Sequence, residues 1–480
     1  MTTEIKPNYI AGAWVTSAEA SVNRNPSDLD DVIGEFARAD AAQADTAIAA
    51  ADRAFLEWQF SPIQRRSEIL DAIGTEVLAR REELGRLLAR EEGKTLPEAV
   101  AEAARAGFIF KFFAGECVRQ SGELLASVRP GVQVEITREP LGTVGLITPW
   151  NFPLALPSWK IAPALCYGNT VVWKPAELVP GSAWALTEII ARSGLPAGVF
   201  NLVNGRGSVV GETLVNDPRV HGISFTGSVA TGDAIIQKAA VRRAKTQVEM
   251  GGKNPLVILD DADLSTAVNI ALNGAYFSTG QRCTASSRLI VTDGIHEAFV
   301  AALIERLRTL KVGHALESGI EMGPVVDDSQ LQQDLDYLRI GQQEGARLAF
   351  GGRRLERTHR GYYLEPALFL DTTPAMRINQ EEIFGPVASV IRVRNYEEAL
   401  AVANDVRFGL SAGIATQSLR HASDFRRRAR AGMVMVNLPT AGVDYHVPFG
   451  GTKESSYGPH EQGRYAAEFY TDVKTAYIAP

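Results

Sequence analysis

Residues 143–153 read TVGLITPWNFP, residues 170–177 TVVWKPAE, residues 199–203 VFNLV, residues 220–228 VHGISFTGS and residues 246–250 TQVEM. Each begins with aliphatic or β-branched residues of the kind strands favour. Helical patterns lie between them, at about Leu156–Tyr167, Gly181–Ser193, Ser208–Asn216 and Ser228–Ala239. Strands and helices alternating at such short intervals predict an α/β fold with a parallel, doubly wound sheet and helices on both faces. Ligands of such sheets sit at the carboxyl ends of the strands. The residues at those ends are Trp150 to Pro153, Lys174 to Glu177, Thr226 to Ser228, and Glu249.

Working outward, the usual Gly-x-Gly-x-x-Gly dinucleotide fingerprint is absent after the first strand, and Gly205 to Gly211 approaches it with one extra residue. Residues 225–232, FTGSVATG, close a strand and open a helix. Free amide N–H groups and the positive end of a helix dipole would face an anion such as pyrophosphate there. The alternative is a plain turn capped by Ser or Thr. A second alternation, Asn254 to Asp260, Asp263 to Phe277, Arg288 to Thr292 and Ile295 to Leu310, predicts a second α/β domain, with Gly251-Gly252 as a hinge. On the amino-terminal side, Ala41 to about Gly115 is helical, broken at Ser61-Pro62. Val128, Val132, Val134 and Ile136 around Pro130-Gly131 read as two strands and a turn, an arm. Thr471 to Ile478 is a terminal strand in need of a partner. The expected domains are residues 1–114 and 139–250 for a dinucleotide, 251–458 for catalysis, and 115–138 with 459–480 as arm and tail.

A chain of 480 residues exceeds one hydrophobic core. With 45% hydrophobic and 22% charged residues it has the balance of a soluble globular protein. No long uncharged apolar run would span a bilayer, and Met1 to Pro7 lacks a secretory pattern, so no membrane association and a cytoplasmic location are expected. Three cysteines, Cys117, Cys166 and Cys283, without a Cys-x-x-Cys pair argue against a disulfide framework and a zinc site. His446 and the other histidines have no metal spacing. A net charge of -7 without a basic cluster makes nucleic acid an unexpected partner.

Cys283 stands out by its company. Residues 276–288, YFSTGQRCTASSR, surround it with small, polar and cationic residues rather than the aliphatic neighbours of a packing cysteine. Arg282 would supply a charge that raises the thiolate fraction, although a cysteine beside an arginine can also be an incidental surface pair.

The runs PWNFP (149–153), KPAE (174–177), FTGS (225–228), EMGGK (249–253), GQRC (280–283) and EIFGP (382–386) come in an order that resembles the NAD(P)-dependent aldehyde dehydrogenase superfamily over essentially the full chain. Met250, where that family more often carries leucine, is a volume-conserving departure. The resemblance implies two doubly wound domains and a β oligomerisation arm, a small-molecule aldehyde substrate, NAD with NADP possible, and a homo-oligomer, dimer or tetramer. Cys283 would attack the aldehyde, the Asn151 amide and the Cys283 N–H would hold the oxyanion, a nicotinamide would take the hydride, and Glu249 would activate water against the thioester.

The same resemblance assigns Lys174 and Glu177 to the adenosine ribose, Gly227 and Ser228 to the pyrophosphate, and Glu382 with Phe384 to the nicotinamide riboside, with Thr148, Trp150, Thr226 and Gly251 completing the set. Glu177 would repel a 2′-phosphate and favour NAD, an effect Lys174 offsets in part. Phe152, Leu156, Trp159, Phe277, Gln281, Arg282, Thr284 and Phe449 are the expected substrate lining. Residues 277–288 and 437–451 also look like α-ketoglutaric semialdehyde dehydrogenases, which implies 2,5-dioxopentanoate as substrate with its carboxylate on Arg282. A general or aromatic aldehyde is the other reading. A non-catalytic protein of this fold would lack the nucleophile or base, and a coenzyme A acylating enzyme the acid at Glu249; Cys283, Glu249 and Asn151 are all present.

Overall fold

A computed structural model describes residues 4–479, so residues 1–3 of the amino-terminal stretch, and Pro480, lie outside it. The chain opens with four strands absent from the sequence reading: β1 (Asn8–Ile10), β2 (Ala13–Val15), β3 (Glu19–Asn25) and β4 (Asp28–Arg38). In β3 the buried side chains are Asn23 and Asn25, so apolar alternation is missing. Asn23 instead donates to Glu91, and Asn25 Oδ1 accepts from the Ser27 N–H at 2.8 Å. Helices α1 (Ala41–Trp58), α2 (Ile63–Ala79), α3 (Arg81–Glu92) and α4 (Leu96–Cys117) follow, the break at Pro62 as expected. Thr95 and Glu98 form a capping box at the start of α4.

The arm is β5 (Glu123–Ala126) and β6 (Gln133–Pro140), with Val128 and Val132 in the connection rather than in strands. The core of the first sheet is β7 (Thr143–Ile147), β8 (Thr170–Lys174), β9 (Phe200–Leu202), β10 (Val220–Thr226) and β11 (Lys245–Glu249). These pair in parallel in the order β9-β8-β7-β10-β11, and β1 and β2 extend the β9 edge antiparallel. Helices α5 (Ala155–Cys166), α6 (Pro180–Arg192), α7 (Glu212–Asn216) and α8 (Val229–Val241) alternate with the strands. All five residues of β8 are buried, the mark of a central parallel strand covered on both faces. Strand order reverses between β7 and β10, which opens a crevice at their carboxyl ends.

The second sheet combines β12 (Pro255–Ile258), β13 (Arg288–Thr292), β14 (Arg347–Phe350), β15 (Ala367–Leu370) and β16 (Val387–Val393) with two later strands, after a short β17 (Phe408–Gly409): β18 (Ser411–Ala415) and β19 (Met433–Val436). Its order is β14-β15-β16-β13-β12-β18-β19, antiparallel only at β14. Helices α9 (Leu264–Tyr276), α10 (Asp293–Thr309) and α11 (Asp328–Gln343) belong to this half. After β20 (Thr452–Lys453) the chain returns to the first sheet, where β21 (Ser456–Tyr457) pairs with β11. Phe469 and Tyr470 pack into the same core as Phe110 and Trp173. The last strand, β22 (Thr471–Ile478), pairs with β6 along its length, giving the arm the order β22-β6-β5.

The Gly251-Gly252 pair is not there for backbone freedom. A side chain on Gly251 would collide with the Glu382 carboxylate, and one on Gly252 with the Cys283 carbonyl oxygen. Space, not hinge motion, requires glycine at both.

Candidate active site

Cys283 lies between α9 and β13 on a segment of unusual backbone. Ser278, Thr279 and Gly280 have φ of 51°, 58° and 67°. Left-handed non-glycine residues cost roughly 1–3 kcal/mol each and persist only where surroundings hold them. Here Glu98 Oε1 accepts from both the Ser278 N–H and its hydroxyl, each at 2.9 Å, and Thr279 Oγ1 donates to the Gly323 carbonyl at 3.2 Å. A side chain on Gly280 would strike the Gly385 carbonyl. Further on, the Asn254 amide donates to the Cys283 carbonyl at 2.7 Å and Thr440 Oγ1 to the Thr284 carbonyl at 2.6 Å.

Two cavities meet at Cys283. One, of about 240 Å³, lies at the strand crevice and is walled by Trp150, Asn151, Thr226, Gly227, Ser228, Gly251, Glu382 and Phe384, with Leu156 and Cys283 at its end. The other, of about 390 Å³, holds Phe152, Leu156, Trp159, Arg282, Cys283, Thr284 and Phe449, with residues 441–443 of the later loop. Cys283 and Leu156 alone are common to both.

Asn151 is fixed beside the nucleophile: its Nδ2 donates to the Gln281 carbonyl at 3.0 Å, and Lys94 Nζ donates to its carbonyl at 2.6 Å. An amide has two N–H groups, so one remains for an oxyanion. Glu249, at the end of β11, is 2% exposed and lines neither cavity. Its Oε2 accepts from the Ser456 hydroxyl at 2.5 Å. Burial first, then the negative charge of Glu461, push its pKa well up, with Ser456 and Lys160 opposing. Glu461 itself is buried against Lys160, accepts from the Trp159 indole at 2.5 Å, and shares Lys160 with Ser224, whose hydroxyl accepts at 2.7 Å.

The chain belongs to the aldehyde dehydrogenase family. The family's sequence profile matches residues 14–476. An α-ketoglutaric semialdehyde dehydrogenase of Bacillus subtilis is 44% identical over 98% of each chain, and an α-ketoglutarate semialdehyde dehydrogenase of Haloferax volcanii 42% identical over 99% of each. A crystal structure of betaine aldehyde dehydrogenase from Staphylococcus aureus in complex with NAD+ superposes with a TM-score of 0.96 at 36% identity, over 99% of this chain and 94% of that one. The protein is therefore an NAD(P)-dependent aldehyde dehydrogenase.

An aldehyde dehydrogenase uses a dinucleotide, and the crevice wall offers groups of the kind one would meet. Thr226 Oγ1 is buried there without a partner. Ser228 caps α8, leaving first-turn N–H groups for a pyrophosphate. Glu382, held by the Gly252 N–H at 2.9 Å, has its pKa pushed up to about 7 by burial. Trp150 and Phe384 meet edge to face at 5.4 Å. Gln330 and Gln333 of α11, which the sequence reading missed, brace this wall through the Ile383 carbonyl at 3.0 and 2.8 Å.

Other expected residues lie outside the walls of these two cavities. Thr148 is buried with its hydroxyl accepting from the Trp173 indole at 2.9 Å, outside the crevice wall. Lys174 and Glu177 lie at the end of the neighbouring β8. Burial pushes the Lys174 pKa down, and Glu177 pairs with Arg38 at 3.3 Å. Phe277 packs against the second domain's apolar core instead of lining the substrate cavity. Gln281 is buried with its Oε1 accepting from the Val326 N–H at 2.9 Å.

Arg282 does line the substrate cavity, but as half of an ion pair. Its Nη2 reaches Glu98 Oε1 at 3.0 Å and its Nη1 the Asn273 carbonyl at 3.4 Å. The positive field expected at the thiol is therefore missing. Burial, then the carboxylates Glu382, Glu249 and Glu461, raise the Cys283 pKa far above its ordinary value. The charged side chains lent to this cavity by α4 and the turn before it, Lys94, Glu98, Glu102 and Arg105, were not foreseen. Their signal was a polar stripe at positions 98, 102 and 105 on a helix whose other face is apolar.

Proposed function

We propose that this enzyme oxidises a short aldehyde bearing a distal carboxylate, α-ketoglutaric semialdehyde foremost, with NAD preferred over NADP. The observation that carries the catalytic reading is Cys283 as the shared wall of a dinucleotide crevice and a separate aldehyde cavity. Cys283 gives up its thiol proton to solvent, and Sγ bonds to the aldehyde carbon as the carbonyl π pair moves onto the oxygen. Asn151 Nδ2 and the Cys283 N–H stabilise charge on that oxygen. A dinucleotide, when bound, supplies the oxidising equivalent that turns this adduct into a thioester on Cys283. Glu249 then takes a proton from water, the water oxygen bonds to the acyl carbon, the C–S bond breaks as Glu249 returns that proton to the sulfur, and the released acid gives its own proton to solvent as carboxylate. Because the Glu249 carboxyl is hydrogen-bonded to Ser456 and outside both cavities, it must turn from Ser456 to serve.

Support for the substrate comes from the names of the relatives at 44% and 42% identity and from cations in the cavity wall. A neutral aldehyde is the competing reading, favoured by the Glu98 carboxylate that neutralises Arg282 and by the apolar walls. Glu177 at the β8 end supports NAD, tempered by its pairing with Arg38. Three free thiols support a reducing, cytoplasmic setting, and the exposed faces of the arm support a homo-oligomer. The test is a panel of 2,5-dioxopentanoate, succinic semialdehyde, pentanal and benzaldehyde, each run with NAD and with NADP. The expected result is the highest kcat/KM for 2,5-dioxopentanoate with NAD. An equal or higher value for pentanal or benzaldehyde would reject the substrate, and equal values for the two dinucleotides would reject the cofactor preference.

A further inference from the structure

The substrate cavity is walled by five ionic side chains, Lys94, Glu98, Glu102, Arg105 and Arg282. Four of them satisfy one another. Lys94 Nζ meets Glu102 Oε2 at 2.7 Å, and Arg282 meets Glu98 at 3.0 Å. Glu102 Oε1 additionally accepts the N–H groups of Leu154 and Ala155 at 2.9 and 3.2 Å, and Glu98 is engaged by Thr95 and Ser278 as well as Arg282.

Arg105 is left over. Among the described residues no carboxylate lies within ion-pair reach of it. Its one hydrogen bond runs from Nη2 to Gln462 Oε1, a neutral acceptor, at 3.1 Å, and its Nε is buried without a partner. Glu102 and Asp444 act on it only at longer range, and burial outweighs them. Gln462 is fully buried, is held at a left-handed φ of 60°, and has its own Nε2 unpartnered. A half-buried guanidinium whose Nε is shut from solvent and a neighbouring buried amide, both with idle donors, want an anion.

Position says which anion. The Arg105 guanidinium lies 5.6 Å from the centre of the Trp159 ring, and Trp159 lies 5.3 Å from Phe449, a member of the apolar cluster against which Cys283 packs and, with Cys283, part of this cavity wall. The cavity thus runs from the nucleophile past two aromatic rings to a cation. We propose that Arg105, braced by Gln462 and Trp159, binds the distal carboxylate of the aldehyde substrate and sets the enzyme's specificity, while Arg282 holds the nucleophile segment through Glu98. This rests on the reading of a carboxylate-bearing substrate given above. An arginine fork takes a carboxylate through two parallel N–H bonds, a geometry lysine cannot copy.

The test compares Arg105→Met, Arg105→Lys and Gln462→Glu with the unaltered enzyme, using 2,5-dioxopentanoate and pentanal with saturating NAD. The quantity read is the ratio of the two kcat/KM values. Loss of a charge-assisted contact should lower that ratio roughly ten- to a hundredfold in Arg105→Met, with a smaller fall in Arg105→Lys. Gln462→Glu places a rival carboxylate on Arg105 and should lower the ratio too. The affinity for the product 2-oxoglutarate, read by calorimetry, should weaken about tenfold or more in Arg105→Met. If the unaltered enzyme already favours pentanal, the carboxylate reading itself fails and the clamp with it. If it favours 2,5-dioxopentanoate and Arg105→Met keeps both the ratio and the product affinity, the clamp alone is overturned. A fall in both rate constants by the same factor, with the ratio unchanged, also overturns it and makes Arg105 structural.

Discussion

Glu249 and Cys283 are raised in pKa by the same surroundings. Burial acts first on both, and the negative charge of Glu461 adds to both. A general base works only when ionised, so hydrolysis of the thioester should strengthen as pH climbs through the elevated Glu249 value. Glu461→Gln keeps an oxygen for the Trp159 indole and Lys160 but removes the charge. Glu249 then ionises at lower pH, and the rising limb of kcat against pH should move toward acid. A stationary limb, or a shift toward alkali, would mean that Glu461 does not act on the base electrostatically. At this scale the candidates could be picked out in the sequence, Cys283 by its small, polar and cationic neighbours and Asn151 and Glu249 by their places near strand ends. Arg282 lines the expected cavity, but its pairing could not be read, because Glu98 lies far away in sequence and only the fold brings them within 3.0 Å.

Elements explain what else was hidden. The strands β7 to β11 and their helices were readable, since buried parallel strands are aliphatic throughout and the helices between them are periodic. The amino-terminal β3 was not, because its inward positions are asparagines satisfied by Glu91 and by local turns. Nor did helix α4 announce that its polar stripe faces a cavity, because exposed helices carry the same pattern. The arm is a different case: β22 was expected to need a partner and finds it in β6. That leaves β5 as an edge strand, with Leu124 71% exposed, while Val473 and Tyr477 are exposed on β22. A long edge with apolar side chains is normally covered in the native assembly, and a second copy of the chain is the occupant proposed here. Sedimentation at micromolar concentration should show a stable dimer or tetramer, and a persistent monomer would contradict this.

For the whole molecule, two sheets built on the same principle converge on one sulfur. The first contributes the crevice at its strand-order reversal together with Asn151 and Glu249; the second contributes the strained segment that carries Cys283 and the Glu382–Phe384 wall. The carboxyl-terminal segment ties them, since β21 adds to the first sheet and Glu461 brings its charge to both Glu249 and Cys283. The order of motifs along the chain led to the expectation of two such halves, whereas the closeness of Gly251 and Gly252 to Glu382 and Cys283 could be read only from the folded chain. In the proposed mechanism oxidation deposits the acyl group on Cys283 and Glu249 is needed only to remove it. The direct measurement is mass spectrometry of Glu249→Gln after mixing with 2,5-dioxopentanoate and NAD, alongside the amount of NADH formed. The expected result is about one NADH per active site and a matching acyl mass on the peptide containing Cys283, with little further turnover. NADH formed without that adduct, or continued turnover at the unaltered enzyme's rate, would contradict it.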